Sequence, residues 1–421
     1  MAEAKSYAIS KRLVWEAYKR VKANRGAAGV DGQTLDDFEK DLKSNLYKVW
    51  NRMSSGSYFP PPVRLVEIPK GGGGMRPLGI PTVGDRIAQA AVKMVLEPIV
   101  EPHFHEDSYG YRPGKSAHDA IATARKRCWR ANWVIDLDIK GFFDNLDHDL
   151  VLKAVGHHTD IPWVHLYISR WLRAPVEKSD GTREERKRGT PQGGVISPLL
   201  ANLFMHYAFD EWMKRRFPRI WFERYADDAV VHCVSEAQAL YVHEAIRKRL
   251  ADCGLELHPK KTKLVYCKDD DRRGEYGCVS FDFLGYTFQP RRARNRHGKF
   301  FVSFLPAVSS TAAKSVRKTI REWRMASTRN NQTLGDLADL VNPVVRGWTH
   351  YYGRFYRSQW IQVLRHLDRV LVAWACRKYR RFRRRERAAT HWLGRIARRD
   401  PNLFAHWQLG VRPAAGAGRA G

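Results

Sequence analysis

The chain has 421 residues, which at roughly 150 residues per domain leaves room for two or three domains. Hydrophobic residues make up 43% and charged residues 28%, ordinary globular usage that excludes wholesale disorder. Lys and Arg number 74 against 44 Asp and Glu, and a net charge of +30 points to a polyanionic partner.

The excess is unevenly placed. From Arg291 to the end there are 29 Lys and Arg against 6 Asp and Glu, so the C-terminal third carries most of it. The preceding residues are nearly balanced and have room for functional carboxylates. No run approaches the roughly 20 apolar residues of a spanning helix, and no membrane role is expected. The first residues, Met1 to Lys5, lack the apolar core of a signal peptide. Six cysteines without a C-x-x-C pair argue against a disulfide framework or zinc ribbon and suit a cytosol with reduced thiols.

In chain order, residues 1–58 read as a helical, mixed-charge extension, with Leu13, Ala17 and Val21 at helical spacing. Asn24 to Gly32 is turn-rich. After Pro60-Pro61-Pro62, the alternation of Val63 to Lys70 predicts a strand. A glycine loop, Gly71 to Gly74, leads into a returning strand, Met75 to Ile80. A helix is expected from about Asp85 to Val100, then a loop around Tyr109 to Gly114 and a second helix. Trp133 to Ile139 alternates at period two, which predicts a strand with Asp136 and Asp138 on one face. Trp221 to Arg224 and Ala229 to Val234 predict a strand pair around Tyr225-Ala226-Asp227-Asp228. Beyond Pro306 the pattern is helical, with Ile361, Leu364, Leu367, Leu371 and Trp374 on one stripe. The Ala, Gly and Arg tail after Pro413 is low-complexity and expected to be disordered.

The chemistry gathers at Asp227 and Asp228. Two adjacent carboxylates at a hairpin tip repel each other and cost stability unless a cation neutralises them. Magnesium, held by few carboxylates plus phosphate oxygens, is the natural solution. Asp138 offers a third ligand, so two strands can deliver three carboxylates to two Mg²⁺ ions. Asp144, Asp147 and Asp149 read instead as helix caps or surface charges.

The order of these blocks resembles a reverse transcriptase, specifically the group II intron-encoded (maturase) type. Gly29-Val30-Asp31-Gly32 resembles its N-terminal extension block. Ile68-Pro69-Lys70 through Arg76 to Pro81 is similar to its fingers hairpin, and Tyr109 to Gly114 to the block that follows. Asp136 to Asp144, Arg188 to Pro198, Tyr225 to Asp228, Lys261-Thr262 and Phe283 to Tyr286 resemble the palm, nucleotide-contacting, hairpin, lysine and primer-grip blocks. Asn342 to Tyr352 resembles the maturase (thumb) signature.

The resemblance implies an α+β right-hand polymerase, with fingers and an antiparallel palm sheet over 59–300, an α-helical thumb or maturase domain over 305–385, and a basic tail over 386–421. It implies two-metal nucleotidyl transfer by Asp138, Asp227 and Asp228, with the Ile139 carbonyl as a further metal ligand. Lys70 and Arg76 would clamp a triphosphate, Phe143 would exclude a 2′-hydroxyl, and Gln192 would donate to the nucleotide. Lys261 would be a general acid to pyrophosphate. Arg112, Arg346, Trp348, Tyr351, Arg380, Arg381, Arg383 and Arg384 are candidate RNA and DNA contacts, with about half of the C-terminal aromatics expected in a helical core. The implied partners are an RNA template (a structured intron RNA), a DNA primer or target and deoxynucleotides. No Cys-paired His-Asn-His nuclease pattern follows the maturase region. The alternatives are a domesticated reverse transcriptase in defence or repair, and an RNA-binding splicing factor with little polymerase activity.

Overall fold

The computed structural model describes residues 5–69 and 74–413, which form two compact units that part between Val265 and Tyr266.

The first unit opens with three helices: α1 (Lys11–Ala23), α2 (Leu35–Lys40) and α3 (Leu42–Ser54). Ser10 caps α1 by accepting from the Leu13 amide, and Ala17, Tyr18 and Val21 are buried along it, while Leu13 is half-buried. Strands β1 (Val63–Pro69) and β2 (Met75–Ile80) pair antiparallel, with Ile68 opposite Arg76. The helix α4 (Val83–Val100) follows, most of its surface buried, with α1 and α3 packed on it.

Beyond it lie α5 (Ala117–Cys128), β3 (Trp133–Leu137), α6 (Phe142–Asn145), α7 (His148–Gly156), α8 (Pro162–Arg173), and the short strands β4 (Val176–Glu177) and β5 (Arg183–Glu184). The first sheet runs β2-β1-β4-β5, with β1 and β4 parallel. Helix α9 (Ser197–Met205) runs through a five-residue π turn, His206–Asp210, into α10 (Glu211–Arg216). Next come β6 (Trp221–Tyr225), β7 (Asp228–Cys233), α11 (Glu236–Asp252) and β8 (Lys263–Tyr266). The central sheet has the order β6-β7-β3-β8, and β7 is antiparallel to both β6 and β3.

The strand expected to reach Ile139 stops at Leu137. There the Asp138 carbonyl accepts from the His258 amide at 2.7 Å and Ile139 forms an isolated bridge with Leu257, so the 256–262 segment takes over the backbone bonds. Lys70 and the glycines to Gly73, expected at the β1–β2 turn, lie outside the described residues.

The second unit holds an antiparallel sheet in the order β11-β10-β9, built from β9 (Phe281–Phe283), β10 (Tyr286–Arg294) and β11 (Phe300–Val308). Five helices follow: α12 (Ser310–Glu322), α13 (Met325–Thr328), α14 (Leu334–Tyr352), α15 (Arg357–Lys378) and α16 (Glu386–Arg399). Pro306 is therefore the last part of a strand, and helix begins only at Ser310. The expected boundary near 300 falls inside the β10–β11 hairpin; the compact units part at 265 instead.

Leu364, Leu367, Leu371 and Trp374 are buried along α15 as their spacing predicts, and Ile361 packs at the edge of that core. The segment after 386, expected as a basic tail, is built into the same core. Ala389, Leu393, Ala397, Phe404 and Trp407 are buried, Asn342 exchanges hydrogen bonds with Leu403 and Ala405, and Asp368 accepts from the Trp407 ring nitrogen.

One buried carboxyl ties α4 to α8 and to the segment before β1. Asp85 in α4 is 1% exposed; Tyr58 and Trp171 donate to its Oδ1 and Gln89 to its Oδ2. Desolvation raises its pKa to about 6, opposed by those three donors. Because the folded value exceeds the unfolded one, this contribution to stability is complete below about pH 4 and is lost as pH rises through about 6, a difference of about 3 kcal/mol. The stability advantage of wild type over Asp85→Asn, followed by tryptophan fluorescence in urea, should therefore shrink by about that amount between about pH 4 and pH 7.5. A pH-independent difference would refute the assignment.

Candidate active site

Three carboxylates lie at the ends of β3, β6 and β7, with Asp138 near enough to raise both Asp227 and Asp228. Leu137 pairs with Ala229, so continuing the register by one residue brings Asp138 opposite Asp228. Tyr225 pairs with Asp228 across the hairpin, leaving Ala226 and Asp227 as a two-residue turn. Such turns need left-handed backbone and usually take Asn or Gly. Here Ala226 adopts it, with φ of 59°, a conformation that costs an L-residue about 1–2 kcal/mol. Strain kept at such a point signals function.

The electrostatics agree. Desolvation pushes the Asp228 carboxyl up to about 7, helped by Asp227 and then Asp138 and opposed by Arg76 and Lys261. The residue is nevertheless exposed to solvent at the start of β7, with protein packed around its carboxyl on the turn side. Asp227 is raised by the same desolvation and by Asp138, with Arg76 and Arg224 acting against the shift. Lys261 lies 3.4 Å from the Asp138 carboxylate. Thr262 Oγ1 accepts from the Asp138 amide at 3.3 Å, and the buried Ile139 follows.

Among the described residues, no three His, Cys, Asp or Glu side chains are gathered at metal-ligand spacing. The donor set nevertheless suits a hard divalent cation. Oxygen ligands repel one another here, and a cation between them would relieve both the repulsion and the desolvation that raise Asp227 and Asp228.

The nucleotide-side candidates fall around the same point. Arg76 is exposed on β2 and close enough to lower both hairpin carboxyls. Phe143 is half-buried against Phe142, and its carbonyl accepts from the Thr190 amide at 2.7 Å. Gly189 makes that approach possible: its φ is +79°, and a Cβ there would lie 2.6 Å from the Asp144 carbonyl oxygen. The Gln192 carbonyl accepts from the Gly79 amide at 2.7 Å, joining its loop to β2. Gln89, already bonded to Asp85, accepts from the Val195 amide at 2.8 Å and fixes the loop from behind.

The expected nucleic-acid contacts divide. Arg346, Arg380, Arg381, Arg383 and Arg384 are exposed. Arg112 is not available: its side chain is 7% exposed, paired with Glu101 at 2.8 Å and donating to the His105 and Ser108 carbonyls. Tyr351 donates to the Leu284 carbonyl and packs on Tyr286, and Trp348 stacks on Trp323. Both are parts of the second unit's packing. Three residues escaped the sequence reading: Tyr111, whose hydroxyl is raised chiefly by desolvation and then by Asp227; Gln89; and Arg224. Tyr111 was visible only as part of a block, and the other two carry no local signal.

Residues 68–288 match the family described as reverse transcriptase (RNA-dependent DNA polymerase), and residues 313–392 match the group II intron maturase-specific domain. The chain belongs to the reverse transcriptases of group II introns. Its relatives include protein YkfC of Escherichia coli strain K12, 33% identical over 334 residues, covering 69% of this chain and 84% of that protein. The group II intron-encoded protein LtrA of Lactococcus lactis subsp. cremoris is 36% identical over 203 residues, covering 48% of this chain and 33% of LtrA. The nuclear intron maturase 4, mitochondrial, of Arabidopsis thaliana is 23% identical over 128 residues, or 30% of this chain and 16% of that protein. The matches thus span most of YkfC but a third or less of the other two. The family places the chain among RNA-directed DNA polymerases, enzymes that work with divalent metal ions.

Gly110 sits against the carboxylate turn, and a Cβ on it would lie 2.5 Å from the Ala226 amide nitrogen. Overpacking against backbone costs about 1–3 kcal/mol. Gly110→Ala should lower the melting temperature modestly but cut DNA synthesis by about a hundredfold, since small misplacements at a reacting centre are that costly. Melting and primer extension on the same preparation check this.

Proposed function

We propose that the protein extends a DNA primer on an RNA template and assists an intron RNA, with chemistry at Asp138, Asp227 and Asp228 and RNA held largely by the exposed arginines of the second unit. The observation that carries the reading is the placement of two carboxyls with raised pKa, Asp227 and Asp228, beside Asp138, Arg76 and Lys261. In right-hand terms, the β6-β7-β3-β8 sheet would be the palm, the β1–β2 hairpin the fingers, and the 310–399 helices the thumb or maturase region.

Asp138, Asp227 and Asp228, with the Ile139 carbonyl, would hold two Mg²⁺ ions, which when bound activate a primer 3′-hydroxyl and offset the charge of the departing pyrophosphate. Arg76, with Lys70, would neutralise the triphosphate. Phe143 would close the space a ribose 2′-hydroxyl needs, and Gln192 would donate to the incoming nucleotide. Lys261, held 3.4 Å from Asp138, would protonate the leaving group. Arg346, Arg380, Arg381, Arg383 and Arg384 would contact RNA phosphates. No helix among the described residues is long and apolar enough to cross a membrane, and a bacterial cytosol is the proposed setting.

Primer extension with oligo(dT) on poly(rA), dTTP and Mg²⁺ tests the reading. Wild type should extend, and Asp227→Ala should not, while RNA retention on filters stays within about twofold because the arginines supply the binding charge. No extension by wild type, with tight salt-sensitive RNA binding, would favour an RNA-binding splicing factor. Phe143→Ala should admit rUTP on the same template, read as product length without deoxynucleotide; continued exclusion would remove Phe143 from sugar selection.

A further inference from the structure

Directly beneath the carboxylate turn lies a charge that the chemistry above leaves unused. Arg224, the fourth residue of β6, is wholly buried and forms a two-point ion pair with Asp210: Nε to Oδ1 at 2.7 Å and Nη2 to Oδ2 at 2.6 Å. Both side chains are 0% exposed. The same guanidinium donates from Nη1 to the Ala226 carbonyl at 3.0 Å and to Asn202 Oδ1 at 3.0 Å, and from Nη2 to Ser108 Oγ at 2.8 Å. All its donors are satisfied.

Two further features serve this one group. Asp210 is the last residue of the π turn, a rare helical insertion that shifts the side chains after it. That turn is pinned from outside by Arg249 of α11, which donates to the Tyr207 and Ala208 carbonyls at 3.0 and 3.1 Å. Asn202 in turn donates to the Gly110 carbonyl at 2.5 Å, and Gly110 is the residue packed on the Ala226 amide. The Arg224 backbone is fixed as well, its amide donating to the Asp107 carbonyl and its carbonyl accepting from the Tyr109 amide. Two of these contacts bear directly on the left-handed Ala226: the Arg224 guanidinium on its carbonyl, and Gly110, held by Asn202, on its amide.

We propose that Arg224, oriented by Asp210 from the π turn, is a positioning residue that holds the Ala226 carbonyl and so fixes the left-handed turn that presents Asp227 and Asp228. The planar fork is what the role requires. A lysine has the charge but cannot reach Asp210 at two points and the Ala226 carbonyl together. The proposal rests on the assignment of Asp227 and Asp228 to polymerisation.

The test compares wild type with Arg224→Lys, Asp210→Asn and the charge-free double variant Arg224→Met/Asp210→Leu, the last because apolar replacement of a buried pair is commonly tolerated. The readouts are circular dichroism, steady-state primer extension and amide hydrogen exchange of the 222–230 peptide without metal or substrate. The expected result is folded protein in at least one variant, kcat lower by about a hundredfold, and KM for dTTP and primer-template Kd each within about twofold. Exchange at 222–230 should be faster while that at 133–137 is unchanged.

A folded variant with wild-type kcat and exchange overturns the proposal. So does kcat that falls only in step with melting temperature, or failure of all three variants to fold, which would assign the pair to core stability. Lack of extension by wild type itself would instead count against the polymerase reading, and the exchange comparison would still decide the role of Arg224.

Discussion

The first unit is arranged around the repulsion among Asp138, Asp227 and Asp228. At an effective dielectric near 20, two like charges about 4 Å apart repel by about 4 kcal/mol, a large part of a domain's whole stability. Asp228, raised to about 7 chiefly by desolvation, carries the repulsion from Asp227 and Asp138 as a further part of that rise. Arg76 and Lys261 offset part of it, but the hairpin turn itself is a strained Ala226 rather than a glycine. The opposing energy comes from distant segments. His258 and Thr262 clamp the Asp138 backbone, Gly110 packs on the Ala226 amide, and Arg224 grips its carbonyl.

A second set of buried groups prepares the neighbouring loop. Asp85, itself held by Tyr58 and Trp171, orients Gln89, and Gln89 secures the Val195 amide. From there the loop runs back through Gln192 to Gly79 on β2 and through Thr190 to Phe143. The residues proposed to meet base, sugar and phosphate therefore belong to one connected network, which is what preorganisation requires: donors fixed before the substrate arrives. Its cost is a carboxyl buried without a cation, visible in the raised pKa of Asp85.

What could be read from the chain follows from range. The β1–β2 hairpin, β3 and the β6–β7 pair were legible because short runs of β-branched and aromatic residues are a nearest-neighbour signal, although β3 and β7 are buried almost throughout rather than alternating. The α15 stripe was legible for the same reason at period 3.6. Arg224 and Asp210 were not: 14 residues apart, each looks like an ordinary surface charge until the π turn and β6 face each other. Arg112 erred in the opposite direction, since an arginine in a basic chain suggests phosphate, and only the fold reveals Glu101 beside it. The segment after 386 misled because its arginines hide an apolar stripe of Ala389, Leu393 and Ala397.

The second unit applies a different physics to the same charge sign. Trp360 and Trp374 are wholly buried, and Trp348, Tyr351 and Tyr379 spend much of their surface on other rings. The aromatics of the helices therefore build the scaffold, while Tyr276, Phe300 and Phe301 of the sheet region stay exposed among the arginines. Between Lys378 and Arg387 only Phe382 is fully buried, and the surrounding arginines share little acidic compensation beyond Glu386. Such a surface gains affinity by releasing counterions from a polyanion, an interaction that is strong, salt-sensitive and nearly indifferent to sequence. The carboxylate site is the reverse: few charges, held by specific backbone hydrogen bonds and intolerant of displacement. Binding distributed over many exposed cations can lose one with little effect, whereas a site that depends on one buried guanidinium holding one carbonyl cannot.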